Sequence, residues 1–165
     1  MHFEISREAL IKPLQLVAGV VERRQTLPVL ANVLLVLDKQ QLSLTGTDLE
    51  VELVGRVALE GKAEDGEITV PARKLMDICK SLPEGASLKF ELDDNKAVIR
   101  FGRSRFSLAT LPANDFPSVE ESKGTQTFTV PQSTLKAMID STSFAMAQQD
   151  VRYYLNGLLM EVNPD

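Results

Sequence analysis

The 165-residue chain is 44% hydrophobic and 25% charged, close to the globular average, which excludes a wholly disordered, collagenous or disulfide-scaffold protein. Eighteen Lys and Arg against 23 Asp and Glu give 18 − 23 = −5, which argues against tight gripping of DNA through many phosphate contacts. A single cysteine cannot close an internal disulfide and fits a reducing compartment, no apolar run approaches the ~20 residues of a membrane span, and residues 1–4 do not resemble a secretory signal.

In chain order, the alternating run Phe3-Glu4-Ile5-Ser6 leads into Leu10, Leu14, Val17 and Val21, a stripe of helical spacing. Strand-like runs follow at 31–37, 41–45 and 49–59, with turn signals at Asp38-Lys39-Gln40 and Gly46-Thr47-Asp48. Ile68-Thr69-Val70-Pro71 then opens a second helix whose Leu75, Ile78, Cys79 and Leu82 follow i, i+3, i+4, i+7. Three more strand-like runs, 87–92, 96–101 and 103–108, are divided by Asp93-Asp94-Asn95 and by Gly102. Residues 117–126, with Ser118, Glu120-Glu121, Ser122, Lys123 and Gly124, have linker composition. Beyond them a strand, a helix and one more strand are expected. Pro71 and Pro131 suit the first turn of a helix, where no backbone donor is required.

These segments repeat. Residues 3–10 recur at 128–135, an offset of 128 − 3 = 125, and the same offset carries Leu30-Ala31-Asn32-Val33-Leu34-Leu35 onto Leu155-Asn156-Gly157-Leu158-Leu159-Met160. Residues 68–75 match 128–135 at 128 − 68 = 60. The chain therefore reads as two β-α-β-β-β repeats of roughly 60 residues, forming an α+β domain over 1–116. A linker follows at 117–126, and a third repeat over 127–165 starts a second domain. A repeat without its last strands leaves a sheet incomplete, so the sequence is expected to be part of a longer chain.

Four stretches carry a resemblance: Leu42-Ser43-Leu44-Thr45-Gly46-Thr47-Asp48-Leu49-Glu50, Thr69-Val70-Pro71-Ala72-Arg73-Lys74, Gly102-Arg103-Ser104-Arg105-Phe106-Ser107-Leu108, and Gln149-Asp150-Val151-Arg152-Tyr153-Tyr154-Leu155-Asn156-Gly157. With them, the chain resembles the bacterial DNA polymerase III β subunit family, the replicative sliding clamps, along its whole length. The resemblance implies a clamp fold of two repeats per domain with helices on the DNA-facing side. It also implies a homodimeric ring around duplex DNA, and as partners the primer–template junction, DNA polymerase III and other polymerases through linear motifs, and the clamp loader. A cytoplasmic, nucleoid-associated location and no cofactor follow from the same likeness.

Each candidate site also has a plainer reading. Arg23-Arg24 after the first helix can be a solvated C-terminal turn, where cations offset the helix dipole; the resemblance puts Arg24 against DNA. Arg73-Lys74 opens the second helix, where positive charge is locally unfavourable; the resemblance puts Arg73 near the DNA channel and Lys74 near the subunit boundary. Tyr153-Tyr154 can be half-buried packing, although a Tyr ring can stack on an unpaired base; the resemblance makes Gln149, Tyr153 and Tyr154 DNA contacts. It also places Arg152 and Leu155 at the border of an incomplete pocket for partner peptides. The period-two run 103–108 reads as an ordinary half-buried strand with Arg103 and Arg105 on one face and Phe106 and Leu108 on the other. The resemblance makes it a subunit edge where Lys96, Arg103 and Arg105 meet acidic groups and Phe106 and Leu108 fill an apolar patch.

Cys79 on its apolar stripe reads as a small core residue, and His2 is the only histidine, so no Ser–His or Cys–His pair and no His/Cys metal cluster can be assembled. Glu64-Asp65, Asp93-Asp94 and Glu120-Glu121 are adjacent turn charges, not a general acid/base pair, and no Gly-rich phosphate loop is present. The chain is expected not to be an enzyme. A rival reading is a stand-alone β-rich adaptor that binds proteins only. The clamp reading requires basic side chains gathered on the helices and acidic ones elsewhere; the adaptor does not. Residues 1–125 carry 16 − 19 = −3 and residues 126–165 carry 2 − 4 = −2.

Overall fold

A computed structural model describes residues 1–21, 27–117 and 127–163. It divides into two compact units, Met1–Glu120 and Glu121–Asp165. In the first, strand β1 (His2–Ser6) runs into helix α1 (Arg7–Val17), and β2 (Asn32–Asp38), β3 (Gln41–Thr47) and β4 (Glu52–Ala58) follow. The second repeat supplies β5 (Gly66–Pro71), α2 (Ala72–Ser81), β6 (Ser87–Asp93), β7 (Lys96–Phe101) and β8 (Ser104–Ala109).

Local chemistry explains the helix starts. The Ser6 hydroxyl accepts the Ala9 N–H at 3.2 Å, satisfying one of the orphan donors of α1. Pro71 ends β5 and occupies the N-cap of α2, and Pro131 does the same for α3 (Gln132–Thr142), one position earlier than the first turn expected of them. Both have φ near the value the pyrrolidine ring imposes, −58° in each case.

The repeats do not build separate sheets. The sheet orders are β1-β6-β7-β8 and β4-β3-β2-β5, all antiparallel. Each repeat thus contributes its last three strands to one sheet and lends its first strand to the other. Phe3 pairs with Phe90 and their rings stack at 4.8 Å, while Val33 pairs with Val70 and Leu35 with Ile68. A single apolar core joins the two halves: Leu10, Leu14 and Val17 of α1 pack with Leu75, Ile78 and Cys79 of α2 beneath the inward rows of both sheets. Cys79 is fully buried, and desolvation pushes its thiol up to about 11, as a small neutral core residue requires. Val21, expected on the α1 stripe, lies half-buried beyond the helix end at Val17.

Two glycines do work that their sequence context hides. The expected turn at Gly46-Thr47-Asp48 is corrected, since β3 continues through Thr47, with Gly46 opposite Leu53 and Thr47 opposite Glu52. A side chain at Gly46 would place its Cβ 2.6 Å from the Val17 carbonyl oxygen, so the glycine lets α1 lie on the strand. Gly55 of β4 admits Pro13 of α1 in the same way, at 2.6 Å. The turn itself runs from Asp48 to Val51, and the Asp48 carboxylate accepts the N–H groups of Val51 (2.7 Å) and Glu50 (2.9 Å). Those bonds hold the Asp48 carboxyl below its ordinary value.

The third repeat keeps the offset of 125 in its backbone. Helix α3 begins and ends at the residues that correspond to the ends of α1, and the 3-10 turn Pro28–Ala31 recurs as Tyr153–Asn156. The strands expected on either side of α3 are corrected: among the described residues neither 127–131 nor 157–163 is in a ladder. A strand exists only through a partner. In the first two repeats the first strand pairs with the strand that follows the helix of the other repeat, β1 with β6 and β5 with β2.

Replacing the fully buried Leu14 by Ala should cost about 2–5 kcal/mol, read as a lower urea midpoint with an unchanged slope. Gly46→Ala should also destabilise, because the Val17 carbonyl must shift to admit the methyl group; an unfolding midpoint at or above wild type would contradict this account of the strand.

Candidate nucleic-acid interface and subunit edge

Helices α1 and α2 pack side by side, tied at one end by Arg7. Its Nε donates to the Cys79 carbonyl at 2.8 Å, placing a cation at the α2 C-terminus, where the helix dipole favours it. The neighbouring Glu8 carboxylate accepts the Gly85 N–H at 3.1 Å, which holds its carboxyl below the ordinary value. A groove runs between the helices, lined by Gln15, Ala18, Gly19, Arg73, Met76, Asp77 and Lys80. Arg73 and Lys74 are both exposed on the first turn of α2. Lys80 was not among the residues singled out from sequence, although its spacing from Arg73, seven residues, puts both on one helix face. The helices carry Arg7, Lys12, Arg73, Lys74 and Lys80 against Glu8 and Asp77, 5 − 2 = +3, where residues 1–125 as a whole carry −3. Arg24 lies outside the described residues.

The second compact unit presents a loop rather than half-buried packing. Tyr153 and Tyr154 are 83% and 67% exposed, with their rings edge to face at 5.9 Å. Asp150 organises this loop. Its carboxylate accepts Arg152 Nε at 3.0 Å, Arg152 Nη2 at 2.9 Å and the Arg152 N–H at 2.8 Å. The Asn156 amide then clamps the Asp150 backbone, accepting its N–H and donating to its carbonyl, both at 3.0 Å. Gln149, just before, is exposed with φ +58°, a left-handed conformation that turns the chain into the loop. Arg152 is therefore engaged by Asp150, and Leu155 is 37% exposed beside it. Neither Asp150 nor Asn156 was singled out from sequence; the Asx-type spacing before a polar turn was the available signal.

Strand β8 is terminal in its sheet. Arg103 is not in it: Gly102, with φ +54°, and Arg103 form a two-residue turn between the paired Phe101 and Ser104. Arg105 is exposed, Phe106 is half-buried, and Leu108 is buried among the core residues. Lys96 is exposed opposite Asp93 and Ala109. The register adds what sequence alone did not show, a cross-strand row Glu4, Lys89, Arg100, Arg105, in which Glu4 faces Lys89 and the two arginines face each other at the β8 edge. Like charges aligned directly across strands are mutually destabilising unless anions approach them. Among these, Arg100 reaches Glu91 only at 3.9 Å, both half exposed. Beyond β8, Leu111 exchanges backbone bonds with Thr69, and the buried Thr69 hydroxyl donates to the Leu111 carbonyl at 2.9 Å while accepting Asn32 Nδ2 at 2.9 Å.

Among the described residues no group of three or more His, Cys, Asp or Glu is placed to hold a metal, and no helix is long and apolar enough to cross a membrane. The family model of the DNA polymerase III beta subunit N-terminal domain matches residues 1–120, and that of its central domain matches 129–165. The chain belongs to the DNA polymerase III beta subunit family. Beta sliding clamps of Pseudomonas aeruginosa and Escherichia coli are 72% and 55% identical to it, over 99% and 98% of this chain and 44% of each relative. The solved DNA polymerase III subunit beta of P. aeruginosa superposes with a TM-score of 0.95 at 70% identity, covering 99% of this chain and 44% of that one. Pol III beta of Caulobacter crescentus does so at 0.91 and 41%, covering 100% and 45%. The chain thus spans less than half the length of the sliding clamps it matches, and its two exchanged sheets with paired helices are the α+β clamp fold of this beta-subunit family.

Arg152 holds the Asp150 carboxyl below its ordinary value, chiefly through its side chain and then through its N–H. A depressed carboxyl lends order that is present above the unfolded value of about 3.9 and lost as pH falls through the lower folded value. The Arg152 Nε–H resonance should therefore stay shifted between pH 7 and 5 and move to its free position only in stronger acid; Asp150→Asn should show the free position throughout.

Proposed function

We propose that this chain is the N-terminal portion of a replicative sliding clamp, a polymerase processivity factor and not an enzyme. In the complete protein, two subunits close a ring around duplex DNA, and the ring slides without sequence specificity and tethers the polymerase. The observation that carries this reading is the charge separation: +3 on α1 and α2 within a region of −3. A protein-only adaptor has no need of it. A ring that encloses its ligand needs only a locally basic lining, because retention is topological and the phosphate contacts must stay weak enough to slip.

In this reading Arg73, with Lys80 and the groove beside them, faces duplex phosphates, and Arg24 joins them by resemblance. Gln149, Tyr153 and Tyr154 meet the primer–template junction, where an exposed ring can stack on an unpaired base. Lys74, Lys96, Arg103, Arg105, Phe106 and Leu108 belong to the subunit boundary, and Arg100 and Arg105 beside the β8 edge suit an acidic face on the second clamp subunit. Arg152 and Leu155 border the pocket for linear motifs of DNA polymerase III, other polymerases and the clamp loader, most of which requires further chain. A cytoplasmic, nucleoid-associated location follows from the same role.

Fluorescence anisotropy of the 165-residue chain on labelled DNA tests the assignment. Arg73→Ala combined with Lys80→Ala should weaken duplex binding and lower the slope of log affinity against log salt by about 1 per phosphate contact removed. Tyr153→Ala with Tyr154→Ala should leave duplex binding alone and weaken the primer–template junction, by about 1–3 kcal/mol for each base stacked. Identical salt slopes for wild type and the Arg73/Lys80 variant would remove these helices from the DNA interface. The chain alone should not stay on a nicked circle at high salt.

A further inference from the structure

Gln149, Tyr153 and Tyr154 lie on one short loop, and a single side chain closes it. Asn156 follows the tyrosines and reaches back six residues to Asp150, the neighbour of Gln149. Its Oδ1 accepts the Asp150 N–H and its Nδ2 donates to the Asp150 carbonyl, each at 3.0 Å. One amide thus satisfies both backbone groups of one residue, as a neighbouring strand would. A carboxamide suits this task because it presents a donor and an acceptor side by side, whereas a carboxylate only accepts. The chain is drawn in again where the Ala147 N–H donates to the Leu155 carbonyl and the Leu155 N–H to the Arg152 carbonyl, both at 2.9 Å. Each of these bonds has both its partners within residues 147–156.

Capping the turn Tyr153–Asn156 would be a plainer role for the amide, and the repeat argues against it. The same 3-10 turn forms at Pro28–Ala31 with Ala31 in the place of Asn156, where no side chain can bond. The turn therefore does not require the amide. What the amide adds is a fixed Asp150 backbone, with Gln149 held at φ +58° on one side and the approach to Tyr153 and Tyr154 on the other. We infer that Asn156 is a positioning residue for recognition of the primer–template junction: its amide pins the Asp150 backbone so that Gln149 and the two tyrosine rings are presented together. This inference rests on the proposed reading of the loop as a junction contact. A ring that stacks on an unpaired base gains most when it is already in place, because ordering a loop at the moment of binding costs affinity.

The chain has two tyrosines and no tryptophan, so its near-ultraviolet tyrosine circular-dichroism band reports this loop alone. In the 165-residue chain, Asn156→Ala should diminish that band and weaken junction binding roughly three- to tenfold, the effect of losing a hydrogen bond or two. Duplex affinity, its salt slope and the thermal transition of the first compact unit should not change. Asn156→Asp should behave like Asn156→Ala at pH 7, because the carboxylate cannot donate to the Asp150 carbonyl. Protonating it restores the donor, so the tyrosine band of Asn156→Asp should recover as pH falls towards about 4, near the ordinary carboxyl value. The wild-type band should stay level over that range and the Asn156→Ala band should stay diminished. Unchanged junction affinity in Asn156→Ala, beside a loss in the Tyr153→Ala/Tyr154→Ala variant, would overturn the positioning role while leaving the tyrosines as DNA contacts. Unchanged affinity in both variants would overturn the reading of the loop and the positioning role with it. Weaker junction binding with an intact tyrosine band would also overturn the proposal, since Asn156 would then act on DNA directly.

Discussion

Everything in the first compact unit depends on the trade of β1 for β5. Had each repeat kept its own first strand, the two sheets could separate with only the helix pair between them. With the strands exchanged, neither sheet is complete without the other repeat, and the core beneath them closes as a single cluster. The stacked rings of Phe3 and Phe90 mark one seam, and the bridge between Thr69 and Leu111, reinforced by Asn32, marks another. That rigidity is what allows exposed cations on α2 and on β8 to be held at fixed places on two different faces of one small body.

Much of this was legible in the residues. Periodicity located all eight strands and both helices of the first two repeats, and the offset of 125 located α3. The strand exchange was not legible, because an alternating apolar run reads the same whichever strand lies beside it. Gly46 read as a turn for a related reason: a glycine advertises freedom of the backbone or the close approach of another element, and only the folded chain shows which. In the third repeat, the residues around α3 carried a strand pattern without a partner to realise it.

The site was legible unevenly. Arg73 and Lys74 stood out because cations are unfavourable at a helix start, whereas Lys80, lower on the same face, looked like an ordinary last-turn cation. Arg105 was visible by alternation, but its alignment with Arg100 and Lys89 exists only across the ladder. Alternation put Phe106 and Leu108 on one face, and their different depths, half-buried and buried, show only in the folded chain. The tyrosine loop was found by its rings, while the carboxylate and amide that shape it went unnoticed because they act on backbone.

The pairing of β1 with β6 has a consequence for how the chain comes into being. His2 meets Glu91, so during synthesis β1 must wait for about 90 further residues before its partner strand exists. At translation rates of about 5–20 residues per second, that wait is several seconds. During it, Phe3 and Ile5 have nowhere native to go. Contacts so distant in sequence are also the slowest to form from the unfolded state. The strand that closes the seam with β6 is thus made early and paired late.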